Sequence, residues 1–131
     1  MRIMVVDDNQ DIADTIAMML RIEDNDVTVS YDGRSALDSI GASMPDLVLC
    51  DIGLAGELDG LQVAAACRQQ RSYDRIRLVA MSGYSGSADR DRAVAAGFET
   101  LLVKPIRYET LMACLRNYTS PRSGSVASRP R

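Results

Sequence analysis

Three carboxylates, a hydroxyl and an ammonium stand out in this sequence because each ends a short apolar run. Asp7 and Asp8 follow Met4-Val5-Val6, Asp51 follows Leu47-Val48-Leu49-Cys50, Ser82 follows Leu78-Val79-Ala80-Met81, and Lys104 follows Leu101-Leu102-Val103. Of the fifteen basic side chains fourteen are arginine, and Lys104 is the one lysine. A compact ammonium on a flexible stem suits a tight oxyanion or phosphate site better than the broad guanidinium fork. Gathering the carboxylates would be costly, since two like charges about 4 Å apart repel by roughly 4 kcal/mol at an effective dielectric near 20. A bound cation is the natural compensation. Hard oxygen ligands with no histidine in the chain and no metal-ligand cysteine spacing select Mg²⁺, with Mn²⁺ as second choice, and the spacing is not that of a calcium-binding EF-hand. Lys104 and the Ser82 hydroxyl then suit the oxygens of a phosphoryl group arriving on one carboxylate. Asp51, alone at the end of its run, is the candidate nucleophile; Asp7 and Asp8 are the candidate metal holders. Taken singly, each has a plainer explanation: helix N-terminal charge for Asp7-Asp8, an ordinary turn for Ser82-Gly83, a stray strand-end charge for Lys104.

The elements that must position these groups alternate five times between short β-branched runs and longer amphipathic stretches, the signature of parallel strands with crossover helices. The pattern predicts strands over Arg2–Val6, Val27–Ser30, Leu47–Cys50, Arg77–Met81 and Thr100–Val103. Helices are expected over Gln10–Ile22, Arg34–Ile40, Leu61–Gln70, Ala88–Ala96 and Tyr108–Tyr118. Asn9 is available to cap the first helix, whose Ile12, Ile16, Met19 and Leu20 share a face, and Leu111, Cys114 and Leu115 do so in the last. Gly33 and Gly41 are read as bracketing the second helix, and Gly97 as a left-handed cap after the fourth. The unalternating third and fourth strands point to an open α/β sheet covered on both faces. In such a doubly wound sheet ligands lie beyond the carboxyl ends of the strands, which is where Asp7, Asp8, Asp51, Ser82 and Lys104 all fall.

Composition bounds the alternatives. At 131 residues, 47% hydrophobic and 25% charged, the chain fits one globular domain. No apolar run approaches the roughly 18 residues of a membrane span, and Asp7-Asp8 interrupt the N-terminal run too early for a secretory signal, so a cytoplasmic setting is expected. Cys50, Cys67 and Cys114 are widely spaced among Leu, Ala and Val and read as small core residues. The absence of histidine removes histidine acid–base catalysis and serine triads. From Thr119 onward the composition turns to Ser, Pro, Arg and Gly, so residues 1–118 are read as the domain and 119–131 as a disordered tail or linker. Arg122, Arg129 and Arg131 give that tail +3 and leave the remainder at −6.

Together the motifs MVVDDN, LVLCDIGL, VAMSGYS and LVKPI resemble those of the receiver domain of two-component response regulators, over about Arg2 to Tyr118. Single pieces such as SG or KP are weak, but four in this order and spacing are specific. The resemblance implies a flavodoxin-like (βα)5 fold with strand order 2-1-3-4-5. It implies that a histidine kinase or histidine phosphotransfer protein phosphorylates Asp51, and that Asp8 and Asp51 bind Mg²⁺ with the Gly53 carbonyl and, through water, Asp7. It further implies a cis Lys104-Pro105 bond and an output in which Ser82 and Lys104 move to the phosphate and rearrange the face of the fourth helix, fifth strand and fifth helix. That face would bind a downstream protein effector or a second copy of the chain. The chain would thus be a phosphoprotein of signal transduction or a phosphorelay, not a dedicated enzyme, although it could promote its own dephosphorylation.

Three departures accompany the resemblance. Gly60 falls nine residues after Asp51, one more than the family spacing, and Ala55 stands where a proline is usual. Leu101 occupies the position of the switch aromatic, three before the lysine. Ser82 stands where threonine is also common and keeps the donor. A phosphorylation-independent, receiver-like scaffold therefore stays open beside the phosphoacceptor reading. An aspartate-nucleophile phosphatase is disfavoured because Gly53 stands where a second, acid–base carboxylate is wanted. Flavin binding is disfavoured because Asp7-Asp8-Asn9 puts negative charge where a phosphate needs donors, and nucleic-acid binding because the domain is acidic. The charges Asp89, Arg90, Asp91 and Arg92 could serve a partner contact, though a solvated helix face is the plainer reading.

Overall fold

The computed structural model describes residues 1–83 and 86–119. Five strands, β1 (Arg2–Val6), β2 (Asp26–Ser30), β3 (Leu47–Asp51), β4 (Arg77–Ser82) and β5 (Thr100–Val103), alternate with helices α1 (Gln10–Ile22), α2 (Gly33–Ser43), α3 (Gly60–Arg68), α4 (Ser87–Ala96) and α5 (Tyr108–Thr119). The strands form one parallel sheet in the order β2-β1-β3-β4-β5. This is the doubly wound, flavodoxin-like arrangement that the sequence leads one to expect. The tail expected from residue 119 begins with Thr119 closing α5, and its remainder, 120–131, lies outside the described residues.

Alternate side chains of each strand feed opposite cores, which is why Leu47–Cys50 of β3 and Leu78–Met81 of β4 are apolar without a break. Ile3, Val5, Leu47, Leu49, Val79 and Met81 pack under α1 and α5, against Ile16, Leu20, Leu111 and Leu115. Met4, Val6, Val48, Cys50, Leu78 and Ala80 face the other way, toward α2, α3 and α4. Burial of a large aliphatic side chain stabilises by roughly 1.5–3 kcal/mol, so two filled faces hold the central strands firmly. All three cysteines are buried and unbridged. Among the described residues no helix is long and apolar enough to cross a membrane.

Helix caps set the entry angle of the loops that carry the site. Asn9 accepts from the Ile12 amide at the start of α1, Asp32 from Ser35 at α2, and Asp59 exchanges a capping box with Gln62 at α3. Gly97 closes α4 in the left-handed region at φ 119. One expectation is corrected: Gly41 does not end the second helix. α2 runs on to Ser43 and is closed by Met44 at φ 46, while the Tyr73 hydroxyl stands 3.0 Å from where a Cβ on Gly41 would lie, a packing reason for glycine in mid-helix. A short 3₁₀ turn, Arg71–Tyr73, also precedes β4.

α4 is the least anchored helix. Only Ala93 of its ten residues is buried, whereas α1 buries four. Its outer charges Arg90, Asp91 and Arg92 are exposed, and Arg92 pairs with the half-buried Asp89. Its C-terminal end is held by Arg68, whose guanidinium donates to the carbonyls of Tyr73 (3.1 Å), Ile76 (2.7 Å) and Gly97 (3.4 Å).

Candidate functional site: an acidic cluster with one ammonium

Parallel strands present their carboxyl ends on one edge of the sheet, and there the ladder brings the distant residues together. Asp51 is the last residue of β3, paired with Met81, and Ser82 is the last of β4, paired with Val103. The amide of Lys104 donates to the Ser82 carbonyl at 2.7 Å, extending the β4–β5 pairing one step and fixing where the lysine stem leaves the backbone. The Lys104-Pro105 bond is cis.

Asp7 is fully buried behind β1. Its Oδ1 accepts from the Asn9 amide at 2.9 Å, while Oδ2 forms a salt bridge with Lys104 Nζ at 2.7 Å. Asp8 is exposed, and its Oδ2 accepts from the Ala55 amide at 2.9 Å. Asp51, 8% exposed, receives the Gly53 amide on Oδ1 at 3.1 Å and faces Lys104 Nζ with Oδ2 at 3.3 Å. Beneath it Gly60 is held to glycine, because a Cβ there would stand 2.2 Å from the Asp51 carbonyl oxygen. The cleft above Asp51 has a volume of about 530 Å³ and is lined by Asp59, Ser82, Asp89, Arg92 and Lys104 among others.

The electrostatics follow from burial and company. Burial raises the Asp51 carboxyl above its ordinary value and Asp7 adds to this, against the Gly53 amide and Lys104, which pull the other way. Burial alone would depress Lys104, but its contacts with Asp7 and Asp51 outweigh that and raise it, so the ammonium is charged at neutral pH. Burial pushes the Cys114 thiol up to about 11 and raises Cys50 and Cys67 as well, which leaves carboxylates as the available nucleophiles.

Asp7, Asp8 and Asp51 each offer one oxygen to a cluster whose atoms lie within 4.8 Å of one another. That donor set fits a hard divalent cation: oxygen ligands only, and an excess of negative charge that one ammonium does not cancel. Of the residues singled out in the sequence, Asp7, Asp8, Asp51, Ser82 and Lys104 thus stand together. Gly53 touches the site through its N–H, Pro105 through the cis bond, and Leu101 is 4% exposed in the α2–α3–α4 core, where no ring can swing. Sequence reasoning missed the Ala55 amide, because main-chain donors carry no residue signature, and the clearance at Gly60.

Fold and edge together define a receiver-type signalling domain. The chain belongs to the response regulator receiver family, whose domain model matches residues 3–116. It is 34% identical over 97% of its length to the response regulator MprA of Mycolicibacterium vanbaalenii, of which it spans 55%, and 30% identical over 90% to a 14.6 kDa protein of Leptolyngbya boryana, of which it spans 89%. The crystal structure of the receiver domain of NtrX from Brucella abortus superposes with a TM-score of 0.82 at 30% identity, covering 91% of this chain and 98% of that one.

Proposed function

We propose that the chain is a phosphorylation switch in which Asp51 accepts a phosphoryl group from the phosphohistidine of a histidine kinase or histidine phosphotransfer protein. The observation that carries this reading is the placement of Asp51 Oδ2 3.3 Å from Lys104 Nζ at the floor of the acidic cleft. In the transfer a carboxylate oxygen of Asp51 bonds to phosphorus, the phosphorus–nitrogen bond breaks, and the histidine keeps the electron pair and takes up a proton. Lys104 and the Ser82 hydroxyl would meet the phosphoryl oxygens. Asp7, Asp8 and Asp51 would hold Mg²⁺, or Mn²⁺, with Gly53 as a further carbonyl ligand. When bound, the cation supplies positive charge that offsets the carboxylates and the incoming phosphoryl group. Return to the resting state is hydrolysis of the acyl phosphate, to which the chain's own site contributes; no other enzymatic activity is proposed. Output is a rearrangement of the α4–β5–α5 face, which takes a protein effector or a second copy of the chain, and the slight anchoring of α4 supports that assignment.

A second reading, a scaffold that acts without phosphorylation, is favoured by the lengthened loop after Asp51 and by the buried Leu101 in place of an aromatic. Incubation with Mg²⁺ and a small acyl phosphate, followed by intact mass measurement, separates the two. A single phosphate adduct that needs Mg²⁺ and is lost in Asp51→Ala is expected; no adduct with a donor of proven activity would favour the scaffold, and an adduct that persists in Asp51→Ala would overturn the assignment of the acceptor.

A further inference from the structure

The loop that carries the extra residue is tied down on both sides. Leu54 is buried, 5% exposed, in the α2–α3–α4 core. Leu58 packs on the same core over the first residue of α2: a Cβ on Gly33 would stand 2.7 Å from the Leu58 carbonyl oxygen and 2.8 Å from its Cβ. Glu57 reaches Arg34 of that helix at 3.2 Å, and the chain turns between these anchors at Gly56, φ 101. The stretch so held presents the Ala55 N–H to Asp8 Oδ2 at 2.9 Å, a contact across 47 residues of sequence.

We propose that the Ala55 amide is a positioning group for the cation site, orienting the exposed Asp8 carboxylate toward Asp7 and Asp51. The inference rests on the phosphorylation-switch reading insofar as the cation is Mg²⁺. An exposed carboxylate samples several rotamers, and a cation that it ligates must first have it ordered. A charge-assisted hydrogen bond from an anchored loop supplies that order beforehand, and outer hydrogen bonds of this kind govern metal affinity. A proline at position 55 has no N–H and cannot make the bond. The lost proline thereby leaves an N–H at position 55, and the anchored loop brings that donor to a ligand that would otherwise be loosely held.

The test uses the whole chain, with Mg²⁺ alone as the probe. Calorimetric titration should give a Kd about tenfold weaker for Ala55→Pro than for the wild type, and one within twofold for Ala55→Gly, which keeps the N–H. Independently, the amide at position 55 of the metal-free wild type should exchange with solvent more slowly than the same amide in Asp8→Ala. Equal Mg²⁺ affinity in the wild type and a folded Ala55→Pro would overturn the inference, as would equal exchange at position 55 with and without the Asp8 carboxylate. If Ala55→Pro does not fold, the exchange comparison decides. A wild type that binds no Mg²⁺ brings down the switch reading and this inference together, whereas binding indifferent to the proline brings down the inference alone.

Discussion

The two ends of the same sheet are built on opposite electrostatic terms. At the amino ends of the strands charge meets charge or a carbonyl. Asp46 accepts the Arg2 amide on its side chain at 2.8 Å, donates its own amide to the Arg2 carbonyl and receives the Arg77 amide on its carbonyl, so one residue stitches β1, β3 and β4. Arg77 pairs with Glu99 at 3.0 Å and lies 5.4 Å above the ring of Tyr118. At the carboxyl ends three carboxylates cluster, and the one ammonium pairs with two of them, Asp7 and Asp51. Arrangements of the first kind steady a fold, whereas those of the second kind cost stability and persist where a ligand or a reaction uses the excess charge.

That contrast fails first, if it fails, at Lys104. Lys104→Ala should lower stability by about 3 kcal/mol in urea denaturation, since it strands the buried Asp7 and the nearly buried Asp51 without a counter-charge; a loss below 1 kcal/mol would mean that solvent already balances the site. Because Lys104 is raised above its ordinary value of 10.5, its contribution is fully present below that pH and is lost as the pH rises through the raised value. Next is Gly60→Ala, which pushes a Cβ into the Asp51 carbonyl and should cost roughly 1–3 kcal/mol in the same measurement.

Asp51→Asn should have the opposite sign and raise metal-free stability by about 0.5–2 kcal/mol, because it removes a charge that burial already disfavours. The sign sets the pH course. Folded Asp51 holds its proton more tightly than an unfolded carboxylate, so its charge opposes folding at neutral pH and ceases to do so as the pH falls through its raised range toward 3.8. Melting temperatures of wild type and Asp51→Asn should therefore converge on acidification. The smallest effect is expected at the other end, where Glu99→Ala should cost about 0.2–1 kcal/mol as for a partly exposed pair; a loss as large as that of Lys104→Ala would erase the contrast.

How far the molecule can be read from its sequence also differs between regions. β1 and β5 fall where apolar runs begin and end, but β3 and β4 each run one residue beyond their apolar stretch, because Asp51 and Ser82 still make ladder pairs. Hydrophobicity marks where a strand is covered, and the functional residue sits where the cover stops. The end of α2 was hidden because Gly41 looks like a terminator and Met44 does not, and the 3₁₀ turn at Arg71 is too short to show a period. The side chains of the cluster were legible because carboxylates and a lone lysine are conspicuous in type and spacing. Contacts made by main-chain amides, such as Ala55 to Asp8, left no mark beyond the missing proline.

The single lysine has a consequence for the chemistry of the whole surface. The ε-amino group at the base of the cleft is the only one in this chain, so an amine-directed acylating reagent or a protein acetyltransferase has no other lysine to modify. Only 17% of that side chain is open to solvent, and it is held by two carboxylates. Any acylation of lysine in this chain is thus a report on the accessibility of the cleft, and a neutralised Lys104 would leave the acidic cluster without its fixed cation.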